Sequence, residues 1–486
     1  MQTTNHPIRM RRRDWLAGMT AVLPTSMFAL TARDERPNVL YVFSDEHRWQ
    51  GLSFTGLPEL QTPRFARMAA EGVSMDGCIS NNPICMPHRA LLMTGRWSYA
   101  NGILENSGTM KEEEQTLAHT FGAAGYATGY VGKWHLGASQ SYAGFDEHYN
   151  WGGSNDHWDS TWNRIHAGGE THTCTRYNAT AMTDQAVDFI RRHAGSGRPF
   201  FLMISWNPPH YRWDDAPEDK LALYPDREAL PFRPNVPERL HDKQWSIYRH
   251  YHAHISAIDD EMGRLLDLID EMGIDENTIV VYSSDHGSMF GSQGMGSKRI
   301  PYDESIRVPF IVRAPGRVPD GRREPALFGS IDIYPTLCGM AGIPVPDHCQ
   351  GRDISAAIMG REPMESKPQF MMHISNKKQY QREQEDPDAP NWHPFFRGVR
   401  TDRYTYAYGE DGVWILIDNE NDPWQMNNLK DDPDYADVRE DMHALLESML
   451  AQYEDPYLDP EIRALPLDER ITRQYLDAAR AALEEA

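Results

Sequence analysis

Cysteine is scarce, with five in 486 residues. Cys78, Cys85, Cys174, Cys338 and Cys349 are odd in number and show no C-x-x-C spacing, so neither a disulfide framework nor a zinc site is indicated. Cys78 with Cys85, or Cys338 with Cys349, could still pair in an oxidising compartment. Basic runs are missing beyond the N-terminus and the formal net charge is −23, which argues against a nucleic-acid partner. An anionic ligand would therefore need a local island of positive charge. No stretch reads as a stable membrane span, because Trp15 to Leu30 is too short and too polar. Repeats and low-complexity tracts are absent as well. What remains is a globular composition, 40% hydrophobic and 24% charged, in a chain long enough for one large and one smaller domain.

Residues 1–32 read as an export segment. Arg11-Arg12-Arg13-Asp14-Trp15-Leu16 resembles a twin-arginine motif, and a moderately apolar stretch follows. The expectation is a periplasmic or secreted protein, carried across the membrane already folded.

Five short apolar runs each end in polar or charged residues. Asn38–Phe43 leads into Ser44-Asp45-Glu46-His47, and Thr128–Val131 into Gly132-Lys133-Trp134-His135. Phe200–Trp206 leads into Asn207-Pro208-Pro209-His210, Ile279–Ser284 into Asp285-His286-Gly287, and Phe310–Arg313 into Ala314-Pro315-Gly316. Continuous apolar runs of this length suit strands buried on both faces. Helical periodicity lies between them, most clearly over Trp245–Met272 and Thr183–His193. The fold class expected is α/β, a large mainly parallel sheet flanked by helices over 36–365. In such sheets ligands bind beyond the carboxyl ends of the strands, so four of the runs deliver metal- or anion-binding residue types to one rim. Over 366–486 the runs become shorter and turn-separated, and helical patterns follow at Ala436–Tyr453 and Leu467–Ala486. That predicts a smaller C-terminal α+β subdomain with an antiparallel sheet.

The most informative stretch is Cys85-Met86-Pro87-His88-Arg89, followed by an apolar run and Thr94-Gly95-Arg96. Proline two residues after the cysteine suits the first turn of a helix, which would put Cys85 at a helix N-terminus, where free N–H groups favour anions and activated nucleophiles. Arg89, one turn on, could offer a planar fork of donors to an oxyanion. This stretch resembles the signature of the formylglycine-dependent sulfatases, and Gly125–His135 is similar to that family's second signature. Further likeness runs through Tyr302–Pro309, Asp332–Leu337 and Asp418–Leu429, so it spans roughly residues 36–430 in the family's order.

The resemblance implies an alkaline-phosphatase-like fold and a sulfuric ester hydrolase in which Cys85 is oxidised to formylglycine by a maturation enzyme. It assigns catalytic roles to Cys85, Arg89, Lys133, His135, His210 and Lys298. One hydroxyl of the hydrated aldehyde attacks sulfur while Arg89, Lys133 and Lys298 offset charge; His210 or Lys298 protonates the departing alcohol. His135 then takes the proton that lets sulfate leave. Asp45, Glu46, Asp285 and His286, with residue 85 itself, would hold a divalent metal. Ca2+ is expected from the oxygen donors, with Mn2+ or Mg2+ open. Two positions depart from the common pattern, Glu46 where many members have Asp and His286 where many have Asn.

The ester is less legible. Trp158 and Trp162, beside Trp151, His157, His166 and His172, crowd one loop and could form a platform for sugar rings, while Arg212, His393 and Arg397 could grip an acidic sugar. A sulfated carbohydrate is the expected substrate. Two rivals stand beside it: a phosphonate or phosphate ester hydrolase of the same superfamily, and a carbohydrate-binding protein without catalysis.

Overall fold

The structure, a computed structural model, describes residues 36–106, 108–137, 142–151, 155–164, 171–374, 395–409 and 412–455. The export segment, His166, His393 and the helical pattern at 467–486 lie outside the described residues.

The strands are β1 (Asn38–Asp45), β2 (Val73–Met75), β3 (Cys78–Ile79), β4 (Ala127–Lys133), β5 (Glu147–Trp151), β6 (Ser160–Arg164), β7 (Thr171–Cys174) and β8 (Phe200–Pro209). They continue with β9 (Thr278–Ser284), β10 (Ile311–Arg313), β11 (Arg322–Glu324), β12 (Phe328–Gly329), β13 (Gln369–Ile374), β14 (Phe395–Arg400), β15 (Tyr404–Gly409) and β16 (Gly412–Asp418). Ten form one sheet in the order β11-β2-β10-β9-β1-β8-β4-β5-β6-β7. The centre, β9-β1-β8-β4-β5, is parallel, whereas β10 and the far edge β6-β7 run antiparallel. All eight residues of β1 are buried, as its unbroken apolar run requires. Alternate residues serve two cores. Val39, Tyr41 and Phe43 pack with Leu92, Phe121 and Leu337 on one face; Leu40 and Val42 pack with Phe189, Ile258 and Leu265 on the other.

Register fixes the functional rim. Ser44 lies level with Ser284 of β9 and Trp206 of β8, and a bulge after Ser44 pairs Asp45 with Pro209. Gly132 lies level with Ser205. Its φ of 119° is a glycine conformation, and a Cβ there would stand 2.1 Å from the Ser205 carbonyl oxygen, so the close approach of β4 to β8 depends on the missing side chain. The strand ends that carry Asp45, Lys133, His210 and Asp285 are thereby level.

The second sheet, β13-β14-β15-β16, is antiparallel throughout. One face packs on the Ala436–Gln452 helix together with Leu91 and Trp97; the other packs on Ile79, Met289 and Ile300. Arg397 of β14 is 1% exposed, and its Nε and Nη2 donate to the Asp455 carboxylate at 2.7 and 3.1 Å. It is therefore a buried structural ion pair and not a grip for substrate.

At the sheet edge, Glu147 of β5 accepts from Arg192 (2.6 and 2.9 Å), His193 (2.9 Å) and Tyr149 (3.0 Å), tying the Asn178–His193 helix to the strand. Burial raises this carboxyl, but the bonds from Arg192, His193 and Tyr149 outweigh it and hold the group at about 2. With solvent screening at this partly exposed position, Glu147→Gln is expected to cost about 1 kcal/mol. Because the folded-state value lies below the unfolded one, the contribution is complete above about 4.5 and disappears as pH falls toward 2. Urea unfolding of the two proteins should give a gap that is constant near neutrality and closes below pH 4.5 or so; a gap that widens in acid contradicts this.

Candidate active site

Cys85 is the first residue of the Cys85–Thr94 helix, preceded by extended Ile84. Pro87 sits in the first turn, where its lack of an N–H removes no hydrogen bond, and Gly95, at φ 65°, ends the helix. Cys85 Sγ is 3.2 Å from His286 Nε2, 3.5 Å from Asp45 Oδ1 and 3.6 Å from Lys298 Nζ. Burial pushes the thiol up, yet Lys298, His286, Lys133 and a hydrogen bond with His135 together hold it well below its ordinary range. The side chain at 85 therefore faces a setting built for negative charge.

Asp45 is the hub around it. Its Oδ2 accepts from Lys133 Nζ at 2.6 Å and Arg89 Nη2 at 3.1 Å, and its Oδ1 lies 3.9 Å from His210 Nε2. Burial and Cys85 push this carboxyl up; Lys133, His210 and Arg89 outweigh them and keep it ionised far below the usual range. Asp285 accepts the backbone N–H groups of Glu46 and His286 at 3.0 and 2.9 Å and Arg89 Nη2 at 3.2 Å. Burial and the neighbouring Asp45 raise it, against His286 and Arg89.

Arg89 is 1% exposed. Its Nη1 donates to the Lys133 carbonyl (2.7 Å) and Ser205 Oγ (2.8 Å), and its Nη2 to the two aspartates. The fork expected to grip an oxyanion is thus engaged by protein groups, and Arg89 acts as a positioning residue for the carboxylates.

The metal fit can be judged from the donors. Asp45, Cys85, Asp285 and His286 each present an atom within 4.8 Å of the others. His286 Nδ1–H donates to the Gly287 carbonyl at 2.9 Å, which leaves the Nε2 lone pair turned toward Asp45 and Asp285. Two carboxylates with one imidazole suit a hard or borderline divalent ion, so the residues present fit one. Glu46 is placed differently. Its carboxylate accepts from Lys298 Nζ at 3.1 Å and lies 3.7 Å from His210 Nε2, grouping with Asp45 and His210 and not with Asp285. Backbone strain collects here too: Glu46 (φ 73°) and His135 (φ 55°) are non-glycine residues in the left-handed region.

A cavity of about 470 Å3 opens above Cys85, lined on the reacting side by Lys133, His135 and His210. The same lining includes Asn150, Asn155, Asp156, Ser160 and Asn178, none of which stood out in the sequence. They come from separate elements and share no spacing; only Asn207, three residues before His210, adjoined a recognisable motif. Trp162 is not a free platform, because Trp151 and His172 stack on it at 5.2 and 4.2 Å. Trp158 is 38% exposed and donates to the Asp215 carbonyl. Arg212 pairs with Asp156 and Asp214 at 2.8 and 3.2 Å, so its charge is already answered.

Known proteins are similar to this chain in sequence and in fold. The profile of the Sulfatase family matches residues 37–343, and one described as N-sulphoglucosamine sulphohydrolase, C-terminal, matches residues 291–452. An ulvan-active sulfatase of Formosa agariphila is 31% identical over 435 residues, covering 87% of this chain and 82% of that protein. An endo-4-O-sulfatase of Bacteroides thetaiotaomicron is 28% identical over 493 residues, covering 88% and 94%. A solved structure in complex with its substrate D-glucosamine-2-N,6-O-disulfate aligns with a TM-score of 0.77 at 25% identity, covering 87% of this chain and 99% of that one. A phosphonate monoester hydrolase of Agrobacterium radiobacter, 21% identical with a TM-score of 0.67 over 87% and 97% of the two chains, shares the fold. With a family profile over more than half its length and a relative of this identity, the chain belongs to the sulfatase family of the alkaline-phosphatase-like superfamily.

Proposed function

We propose that this sulfatase releases sulfate from a sulfated carbohydrate at residue 85, with Cys85 oxidised to formylglycine and a divalent cation, Ca2+ by its oxygen donors, among Asp45, Asp285 and His286. The observation that carries the reading is the convergence of Lys133, His135, His286 and Lys298 on one buried cysteine at the foot of a cavity. The sulfated-carbohydrate part of the reading is supported by the substrates named for the relatives. Export by the twin-arginine route belongs to the same proposal and rests on Arg11-Arg12.

Asp45, Glu46 and Asp285 are matched by Arg89, Lys133 and Lys298 within the cluster. A divalent cation, with the proton His210 is to deliver, would then offset an ionised nucleophile and an anionic ester.

Residue 85, once oxidised and hydrated, would supply the attacking oxygen, and a cation held by Asp45, Asp285 and His286 would supply Lewis-acid polarisation of the ester. The chain's own residues do the rest. Lys298 and Lys133 lie within reach of residue 85 and offset charge that grows in the transition state. His210 donates Nδ1–H to the Tyr211 carbonyl at 2.9 Å, so Nε2, 3.9 and 3.7 Å from Asp45 and Glu46, is its working atom and the one placed to protonate a departing alcohol. Lys298, held protonated between Glu46 and residue 85, serves the nucleophile side. His135, hydrogen-bonded to the side chain at 85, is placed to take the proton that lets sulfate go.

The direct test is sulfate release from a panel of sulfated mono- and oligosaccharides, set against an aryl phosphonate. Release should stop with a chelator and return with Ca2+. A higher kcat/KM on the phosphonate would favour the phosphonate-hydrolase reading, and turnover of neither would favour a non-catalytic carbohydrate binder.

The two histidines separate by leaving group. His210→Ala should lower kcat on a sugar sulfate by about 10²–10⁴-fold and much less on a nitrophenyl sulfate, whose phenolate needs no proton. His135→Ala should slow both substrates alike and leave sulfate trapped on the enzyme. The reverse pattern would exchange the two roles.

A further inference from the structure

His210 follows the last residue of β8, and the chain beyond it has no ladder to hold it. Tyr211 to Ala216 form no regular secondary structure and, among the described residues, make no backbone–backbone hydrogen bond. His210 nevertheless depends on this stretch. The Tyr211 carbonyl takes its Nδ1–H at 2.9 Å and so fixes both the tautomer and the direction in which Nε2 points.

Side chains do the holding. Trp213 Nε1–H bonds back to the Pro209 carbonyl at 2.9 Å, and the Ala216 N–H donates to His250 Nδ1 at 3.3 Å. Asp215 makes the densest set of contacts. Its carboxylate accepts the backbone N–H of His157 at 3.1 Å and His157 Nδ1–H at 2.7 Å, and its carbonyl accepts Trp158 Nε1–H at 2.7 Å. From the His241–Glu271 helix, His254 Nε2 comes within 3.3 Å of both Asp215 Oδ1 and the Arg212 carbonyl.

The remaining partners place the protons. Tyr177 OH, 2.7 Å from His254 Nδ1, can donate there, which leaves the imidazole proton on Nε2, facing Asp215. Burial lowers both imidazoles, His254 to about 3, so each is neutral and gives its one N–H to this tie. A cation among His157, Asp215 and His254 would need His157 Nδ1 bare. That would move the proton to Nε2, a buried atom with no protein partner. The cluster is therefore a hydrogen-bonded tie and not a second metal centre.

We propose that Asp215 is a positioning residue for protonation of the leaving group: through His157 and His254 it anchors the stretch after β8 and so holds His210 Nε2 where the departing oxygen needs it. This rests on the reading of His210 as the proton donor and adds the residues on which that role depends.

The experiment is steady-state kinetics of the mature enzyme on nitrophenyl sulfate and on the sugar sulfate it turns over fastest. The ratio of sugar to aryl kcat is the readout, since a variant that merely folds less well loses both in proportion. Asp215→Asn, which sets an amide NH2 against one of these donors, should lower the ratio by about 10- to 100-fold. In a His210→Ala background the same substitution should change it by less than about threefold, because Asp215 acts through His210. A second pair leaves the carboxylate in place. His157→Leu removes the bond and should lower the ratio about tenfold, whereas His157→Asn keeps a donor where Nδ1 stands and should preserve it. If His210→Ala lowers the ratio but Asp215→Asn and His157→Leu do not, or if the Asp215→Asn loss persists in full in the His210→Ala background, the positioning role is overturned and the assignment of His210 stands. If His210→Ala itself leaves the ratio unmoved, both fall.

Discussion

A fully buried carboxylate has to be paired, and Asp45 is paired several times over. Lys133 and Arg89 bond one of its oxygens while His210, His286 and the side chain at 85 face the other. An isolated charge at this depth would cost several kcal/mol, more than a typical contact recovers. The surrounding charges are therefore a condition for Asp45 being there at all, and the sheet is built to supply them. Parallel pairing of β1 with β8 and β9, and of β4 with β8, brings four chain segments far apart in sequence to one level.

From this constraint the reactive setting follows. Lys133 ends β4, Asp285 follows β9, and the Cys85 helix begins with its first side chain against Asp45 and His286. Cations that offset Asp45 and Glu46 also surround residue 85, so one network both permits the buried acids and favours an anionic nucleophile. Arg89 does its part from behind, holding Asp45, Asp285 and Ser205 in place.

Strand ends were legible in the sequence because each buried parallel strand is a continuous apolar run with polar residues beyond it. That pattern put Asp45, Lys133, His210 and Asp285 on one rim, and the resemblance to the sulfatases supplied their roles. The antiparallel direction of β10 and the edge β6-β7 could not be read, since short apolar runs carry no sign of strand direction. Side-chain availability was equally hidden. Trp162 and Arg397 have residue types that suit sugars, but Trp162 is stacked between cross-strand neighbours and Arg397 is closed off by Asp455, contacts made only in three dimensions. The asparagines that line the cavity were invisible for the opposite reason: they sit in unrelated segments and come together only around it.

The account turns on residue 85 being the reacting group and on its being oxidised before it reacts. The decisive measurement is peptide mass spectrometry across Asn82–Arg96 on preparations of graded specific activity. Activity should rise in proportion to the fraction carrying the aldehyde at position 85. Full activity in protein whose Cys85 is entirely a thiol would contradict the account.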